Sequence, residues 1–438
     1  VTNAPKGAGG GSLSQGAEFN IVTSLDSTDK FARISDEALL DLVQRETFKY
    51  FWEFGHPVSG MARERNTSGD IVTTGGTGFG IMAMVAAIQR NFITRAEGLS
   101  RIQKIVDFLE SADKFKGAFP HWLNGATGKV QPFSAKDDGA DLVETSFLIQ
   151  GLLTARQYFN GADAAETTLR TDINALWQDV DWAWFTKGSE DVLYWHWSPN
   201  FGWDMNHKIQ GWNEALVTYV LAAASPTHSI DKKVYDGGWA RNGAMRNGAT
   251  FYGHQLPLGP SHGGPLFFAH YSFLGINPKD LSDAYADYWN QNRAHSLIHY
   301  EYAKANPKGF AGYSSSVWGL TASDDNKVGY QAHEPTNDNG VVAPTAALSS
   351  MPYTPEESMQ ALRFYYYILG DKLWKEYGFV DAFNLTDGWF APSFLAIDQG
   401  PIIVMIENHR SGLLWNLFMS APEVKAGLRK LGFQSPHL

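Results

Sequence analysis

The sequence predicts an all-α fold, an (α/α)6 toroid of six inner and about six outer helices joined by long rim loops. Three observations predict it. Six segments open with Gly and then run apolar nearly all round, so as helices they must be buried on every side. They open at residues 76, 139, 211, 264, 340 and 400, a degenerate period of roughly 65 residues that accommodates a buried helix, an amphipathic helix and two loops. Runs of alternating polar and apolar residues are short, which leaves a mixed α+β fold without support, although a short hairpin near residues 189–197 is compatible.

Taken in order, residues 1–34 read as a flexible N-terminal leader, with Ala8-Gly9-Gly10-Gly11-Ser12 and little apolar content. Residues 35–438 read as a single domain. Ser35-Asp36-Glu37 offers helix-start chemistry, followed by Leu39, Leu40, Val43, Phe48, Phe51 and Trp52 at helical spacing. Further amphipathic helices are expected over 94–113, 164–177, 279–305, 354–367 and 421–431. The six buried segments are 76–89, 139–158, 211–224, 264–273, 340–349 and 400–415. The connections before the buried helices hold the unusual residues, among them Arg63-Glu64-Arg65-Asn66, Phe119-Pro120-His121-Trp122 and Tyr194-Trp195-His196-Trp197. A concave funnel lined by Trp, His, Arg and carboxylates follows.

Composition narrows the function. The 438 residues carry a net charge of −11, which argues against a nucleic-acid partner. No apolar run is long enough to span a membrane. With no Cys, the chain has no disulfide, thiolate zinc site, iron–sulfur cluster or cysteine nucleophile. Aromatic residues reach 14% against 18% charged, which suits clefts that stack the flat apolar faces of sugar rings. No basic stretch followed by an apolar one marks a secretion signal. The acidic, Trp-rich chain is expected to be periplasmic or secreted from a bacterium, its leader already removed.

Carboxylates carry the candidate chemistry. Asp137, Asp141 and Glu144 stand at i, i+4 and i+7 and would share one helix face, with Asp138 beside them. Crowded acids repel, so one is expected to hold its proton near neutrality, as general-acid work on a glycosidic oxygen requires. The plainer alternative makes Asp137 or Asp138 a helix cap. Glu214, beside Trp212 in Gly211-Trp212-Asn213-Glu214, is a second acid in apolar surroundings. Asp398 precedes the last buried helix and reads as either an acid or an N-cap. Glu407 interrupts an apolar run and faces either the funnel or a partner such as Arg410. Gly75-Gly76-Thr77-Gly78-Phe79-Gly80 lacks the spacing, strand and lysine of a nucleotide loop and reads as a close-packed helix start. The 13 His show no metal-ligand spacing, and no GxSxG elbow is present, so no metal or cofactor is expected.

The strings Arg63-Glu64-Arg65-Asn66, Gly75 to Gly80, Gly263-Gly264-Pro265-Leu266-Phe267 and Gly400-Pro401-Ile402-Ile403-Val404-Met405-Ile406-Glu407-Asn408 resemble the bacterial glucoamylase-like domain of glycoside hydrolase family 144, the β-1,2-glucanases. The likeness runs in order from about Ser35 to Leu431. It implies an (α/α)6 toroid that cleaves β-1,2-glucan with inversion, releasing sophorose or short oligosaccharides, and acting internally or from an end. By the same resemblance Glu214 is the general acid and Asp141 or Asp398 the general base, with Asp137 and Glu144 orienting or tuning them. Trp122, Trp195, Trp203, Trp212 and Tyr330 are expected to stack on glucose rings. Arg65, His121 and Glu407 are expected to bind hydroxyls. The expected partner is an oligo- or polysaccharide, met by a monomer. The alternatives are a non-catalytic glycan-binding protein of the same fold, or a toroid enzyme acting on another polymer.

Overall fold

The computed structural model describes residues 25–438; the Gly-rich part of the leader lies outside the described residues. Residues 30–34, counted with the leader by sequence, lie against the body of the protein. The Lys30 N–H donates to the Tyr367 carbonyl (2.6 Å), the Ile34 N–H donates to the Tyr367 hydroxyl (3.0 Å), and Phe31 stacks on Tyr366.

Helix α1 (Asp36–Trp52) starts where Ser35 accepts the Ala38 N–H. A short strand β1 (Ile71–Thr73) feeds α2 (Thr74–Gln89), in which every residue but the last is buried. Helix α3 (Arg95–Ser111) begins with a capping box between Thr94 and Glu97. After the two-to-three-residue strands β2 (Trp122–Asn124), β3 (Val130–Gln131) and β4 (Ala140–Asp141) comes α4 (Leu142–Tyr158), then α5 (Ala164–Asp179). Strand β5 (His196–Trp197) precedes α6 (Leu216–Ala224), buried throughout. Helix α7 (Tyr288–Ala305) is followed by the hairpin β6 (Ala322–Asp325) and β7 (Gly329–Ala332), then α8 (Pro344–Leu348) and α9 (Pro355–Arg363). Helices α10 (Ala396–Arg410), α11 (Leu413–Ser420) and α12 (Pro422–Leu431) complete the chain. Among the described residues no helix is long and apolar enough to cross a membrane.

Helices α2, α4, α6, α8 and α10 occupy the core, as the all-round apolar pattern requires. The close-packed reading of the Gly75–Gly80 run holds. A Cβ on Gly78 would collide with the Phe147 carbonyl and one on Gly151 with the Gly78 carbonyl, so α2 and α4 meet backbone to backbone.

Three expectations are corrected. The segment 264–273 forms two 3-10 turns, Leu266–Ala269 and Ser272–Leu274, rather than a helix. Gly263 and Gly264 take φ of 100° and 82° there, and Pro265 has no N–H to give. Helix α7 starts at Tyr288, not near 279, because Asp280 turns the chain at φ 54° and Ser282 bridges to Gln434. The fold is mainly helical, and among the described residues one three-stranded and five two-stranded antiparallel sheets fasten its loops. No local hairpin forms at 189–197. Strand β5 pairs instead with β4, Asp141 opposite His196.

Candidate active site

The small sheets decide where the rim residues stand. Pairing β1 with β2 sets Thr73 opposite Trp122 and so hangs His121 and Trp122 over the N-terminus of α2. Pairing β4 with β5 brings Trp195 and His196 over the start of α4. The hairpin β6–β7 presents Tyr330 opposite Asp324, and an isolated bridge joins Arg65 to Leu395 just before α10. Between these loops lies a cavity of about 460 Å³ lined by Glu64, Arg65, Thr73, His121, Trp122, Phe133, Glu144, Phe147, Trp195, Glu214, Phe267, Tyr271, Ala322, Tyr330, Ala332, Leu395 and Ile397. Larger hollows, near 850 and 730 Å³, lie elsewhere. One runs along α3 and α5 and the other surrounds Glu190 and Lys208, and neither joins aromatic walls to buried acids.

One wall holds a cluster of acids around two histidines. The Asp141 side chain caps α4 by accepting the Glu144 N–H (2.9 Å). Its other oxygen lies 3.1 Å from His121 Nδ1 and 3.5 Å from His196 Nε2. Asp137 Oδ2 is 3.5 Å from His196 Nε2 and 4.0 Å from His121 Nδ1, and Glu144 Oε1 is 4.0 Å from His121 Nε2. Burial disfavours charge on His121, but Glu144, Asp141 and Asp137 outweigh it and push it up to about 9. Asp141 pays for burial yet is held well below its usual range by His121 and His196. Burial raises Asp137 to about 6, helped by the Asp141 charge, and raises Glu144 to about 7, against the His121 charge and the Gly75 N–H that Glu144 Oε2 accepts at 2.8 Å. His121, Asp137 and Asp141 offer donor atoms within 4.8 Å of one another that could hold a divalent cation. A protonated His121 places a positive charge among the same carboxylates.

Glu214 sits in the turn before α6 and is partly open to the cavity. Its carboxyl is shielded enough that burial raises it to about 7, with the Glu144 and Asp141 charges adding to the shift. Its backbone is fixed by Ser272, whose hydroxyl donates to the Glu214 carbonyl and accepts the Val217 N–H. Across the cavity a second network runs inward. Arg65 donates to Glu64 (2.8 Å) and Asp324 (3.1 Å); the Asp324 N–H donates to Asp381 (2.7 Å); and Asp381 faces Asp398 on α10. Asp398 is pushed well above its usual range by burial and by Asp381.

The aromatic walls are partly preassembled. Phe133 stacks on His121 at 4.2 Å, and Trp195 stacks on His207 at 4.8 Å. Tyr330 is half exposed on the opposite rim.

The sequence matches the family described as "Putative glucoamylase" over residues 206–422, and a family described only as a protein of unknown function over residues 43–140. A crystal structure of a Bacteroides uniformis protein of the first description superposes with a TM-score of 0.91 at 56% identity, covering 93% of this chain and 100% of that one. An endo-β-1,2-glucanase from Chitinophaga pinensis, in complex with sophorotriose and glucose, superposes with a TM-score of 0.91 at 53% identity and the same coverage. The chain belongs to glycoside hydrolase family 144. It is also 50% identical over 421 residues to a Parabacteroides distasonis exo β-1,2-glucooligosaccharide sophorohydrolase acting at the non-reducing end, covering 91% of this chain. The chain spans 58% of the length of that curated relative.

Of the residues singled out by sequence, Glu144, Glu214, Arg65, His121, Trp122, Trp195 and Tyr330 line this family 144 cavity. Asp137, Asp141 and Asp398 stand just behind its wall. The helix-face reading of the acid triplet is corrected, because the helix begins at Leu142. Asp137 lies in the preceding loop, and the cap is Asp141 rather than Asp137 or Asp138. Asp398 is likewise no N-cap, lying inside the first turn of α10.

Three expected binding residues are elsewhere. Trp212 is 4% exposed and packs among Trp239, Phe273 and Tyr288. Trp203 packs on Trp184 and Tyr194 on the outer side of the loop that carries Trp195. Glu407 is fully buried and pairs with Arg90, not Arg410 and not the cavity. Sequence reasoning placed Glu64 and His196 in rim strings without a role, gave Asp324 no place in the site, and missed Asp381, Phe133 and Tyr271. Only His196, inside a Trp-rich string, and Asp381, alone between Val380 and Ala382, carry a local signal of a polar group forced into apolar surroundings.

Proposed function

We propose that the chain is a glycoside hydrolase that cleaves β-1,2-glucan with inversion. The observation that carries this reading is the pairing of Glu214 and Glu144, both raised to about 7, in one cavity walled by Trp122, Trp195, Phe133 and Tyr330. A carboxyl that keeps its proton near neutrality can give it to a leaving sugar oxygen, and the rings supply flat faces for glucose. The names of the relatives, one an exo-acting sophorohydrolase and one an endo-β-1,2-glucanase, agree in linkage. The architecture in this reading is an (α/α)6 toroid whose fourth inner helix is reduced to 3-10 turns.

Glu214 is the general acid. Between the two candidate bases, Asp398 is favoured over Asp141. Asp141 spends its oxygens on the Glu144 N–H, His121 and His196, and is held so strongly ionised that it makes a poor base. Asp398 sits behind Tyr330 and Tyr271 with elevated proton affinity. Water attacks the anomeric carbon and loses a proton toward Asp398 while the glycosidic C–O bond breaks and its oxygen takes the Glu214 proton. His121, held positive, offsets the Asp141 charge beside Glu144 and Asp137.

Incubation with linear β-1,2-glucan tests the reading, products being resolved over time beside a Glu214→Gln variant. A ladder of oligomers marks internal cleavage and sophorose alone from the start marks an exo enzyme. Untouched glucan overturns the substrate, and undiminished turnover in the variant overturns the acid.

A further inference from the structure

Behind the cavity, two carboxyls face each other with oxygens that nothing else satisfies. Asp381 is 3% exposed and Asp398 is 2% exposed. Asp381 Oδ1 and Asp398 Oδ2 are both buried without a partner, apart from the contact between the two acids themselves. Asp381 Oδ2 is occupied by the Asp324 N–H, and the Asp381 N–H donates to the Ser393 carbonyl at 2.9 Å. Asp324 is in turn clamped by Arg65 and by the Ser393 hydroxyl. Asp398 is fixed from the other side, its carbonyl accepting the Thr345 hydroxyl at 2.8 Å. Two buried acids this close do not both ionise, and a single proton between them satisfies both orphaned oxygens.

We propose that Asp381 is a positioning residue for Asp398, the two sharing one proton and titrating as a unit. The inference rests on Asp398 being the base of the proposed reaction. Asp381 does not line the cavity and so acts through its partner. When water is deprotonated, its proton passes to Asp398 as the shared proton moves fully onto Asp381, and the pair goes from one negative charge to none. The other groups facing the pair are Asp324 and Glu64, which favour protonation, Arg65, which opposes it, and the neutral phenols of Tyr271 and Tyr330. Burial and the Asp324 charge raise Asp381 to about 7, in line with a proton retained at neutral pH.

The test compares wild type, Asp381→Asn, Asp398→Asn and the double variant, each first checked for native folding by circular dichroism. In Asp381→Asn the amide donates permanently to Asp398 and leaves it ionised. The acidic limb of kcat should move up by about 1 pH unit, because an amide holds the Asp398 anion less strongly than the shared proton does, with KM unchanged. An unmoved limb in the folded variant overturns the proposal. Difference infrared spectroscopy of the substrate-free protein near neutral pH reads the proton without turnover. Each single variant should lose one protonated-carboxyl band, and the double variant should lose no more than either. Independent losses that add in the double variant overturn the sharing. If wild type leaves β-1,2-glucan intact, the function reading fails, and the infrared comparison alone still supports or overturns the pair.

Discussion

Replacing Arg90 by Ala tests the structural role assigned to Glu407. The Glu407 carboxylate is fully buried and accepts Arg90 Nε at 2.7 Å and Nη2 at 3.0 Å, with Ser411 Oγ at 2.6 Å and Gln44 Nε2 at 3.2 Å. Arg90→Ala removes the one cation bonded to Glu407 among the described residues and leaves the anion held by two neutral groups. Breaking a buried pair from one side costs about 3–5 kcal/mol. With an unfolding entropy near 2.1 cal/mol/K per residue, a cooperative unit of this size should lose roughly 1 °C of Tm per kcal/mol, or about 3–5 °C in all. Glu407→Gln in the Arg90→Ala background should recover much of that loss, because no charge then remains buried. The pH dependence has a definite sign. Although burial opposes it, Arg90, Ser411 and Gln44 depress the Glu407 pKa in the folded state. The contribution is therefore present above the ordinary glutamate range and disappears as pH falls through the depressed value. Differential scanning calorimetry at neutral and acidic pH reads all three quantities. A melting point unchanged in Arg90→Ala, or turnover lost per folded molecule in Glu407→Gln, refutes the structural assignment.

Gly151→Ala should be a severe lesion, lowering stability by about 1–3 kcal/mol or more, because its Cβ meets the Gly78 carbonyl on a rigid helix; denaturant unfolding measures it. Asp141→Asn should lower the His121 titration point by about 1–2 pH units, read by NMR of the imidazole. As the folded His121 value lies above the unfolded one, its stabilisation is present below the ordinary histidine range and is lost as pH rises through about 9. Trp195→Ala should raise KM for glucan oligosaccharides, whereas Trp212→Phe should lower Tm and leave KM alone; kinetics and melting on both variants separate a wall from a core residue.

The buried helices were legible because a segment apolar on every face has one stable environment. That logic cannot tell a long helix from aromatic 3-10 turns. At 264–273 the apolar residues are right, but two left-handed glycines and Pro265 prevent a helix. Likewise 400–415 reads as one segment, yet Gly412 at φ 70° splits α10 from α11. In the site, Glu144 and Glu214 stood out as charges in apolar runs. Glu407 had the same signature, and only Arg90, 317 residues away, shows that it is a strut. Asp381 carried only the weak signal of an acid between Val380 and Ala382, and Asp324 carried none that pointed to the site, since their importance comes from partners far along the chain.

The distances along the chain within the site have a consequence for biosynthesis. Arg65 meets Asp324 across 259 residues, the start of α2 lies beside the start of α10, and Arg363 on α9 reaches Asp36 on α1. Contacts of such separation form late, after a large loop-closure cost. The wall of Asp137, Asp141, Glu144 and Glu214 is translated long before Asp381 and Asp398 leave the ribosome. A nascent chain therefore holds the acid without its counterpart, and activity should switch on only when the last core helix docks against the first.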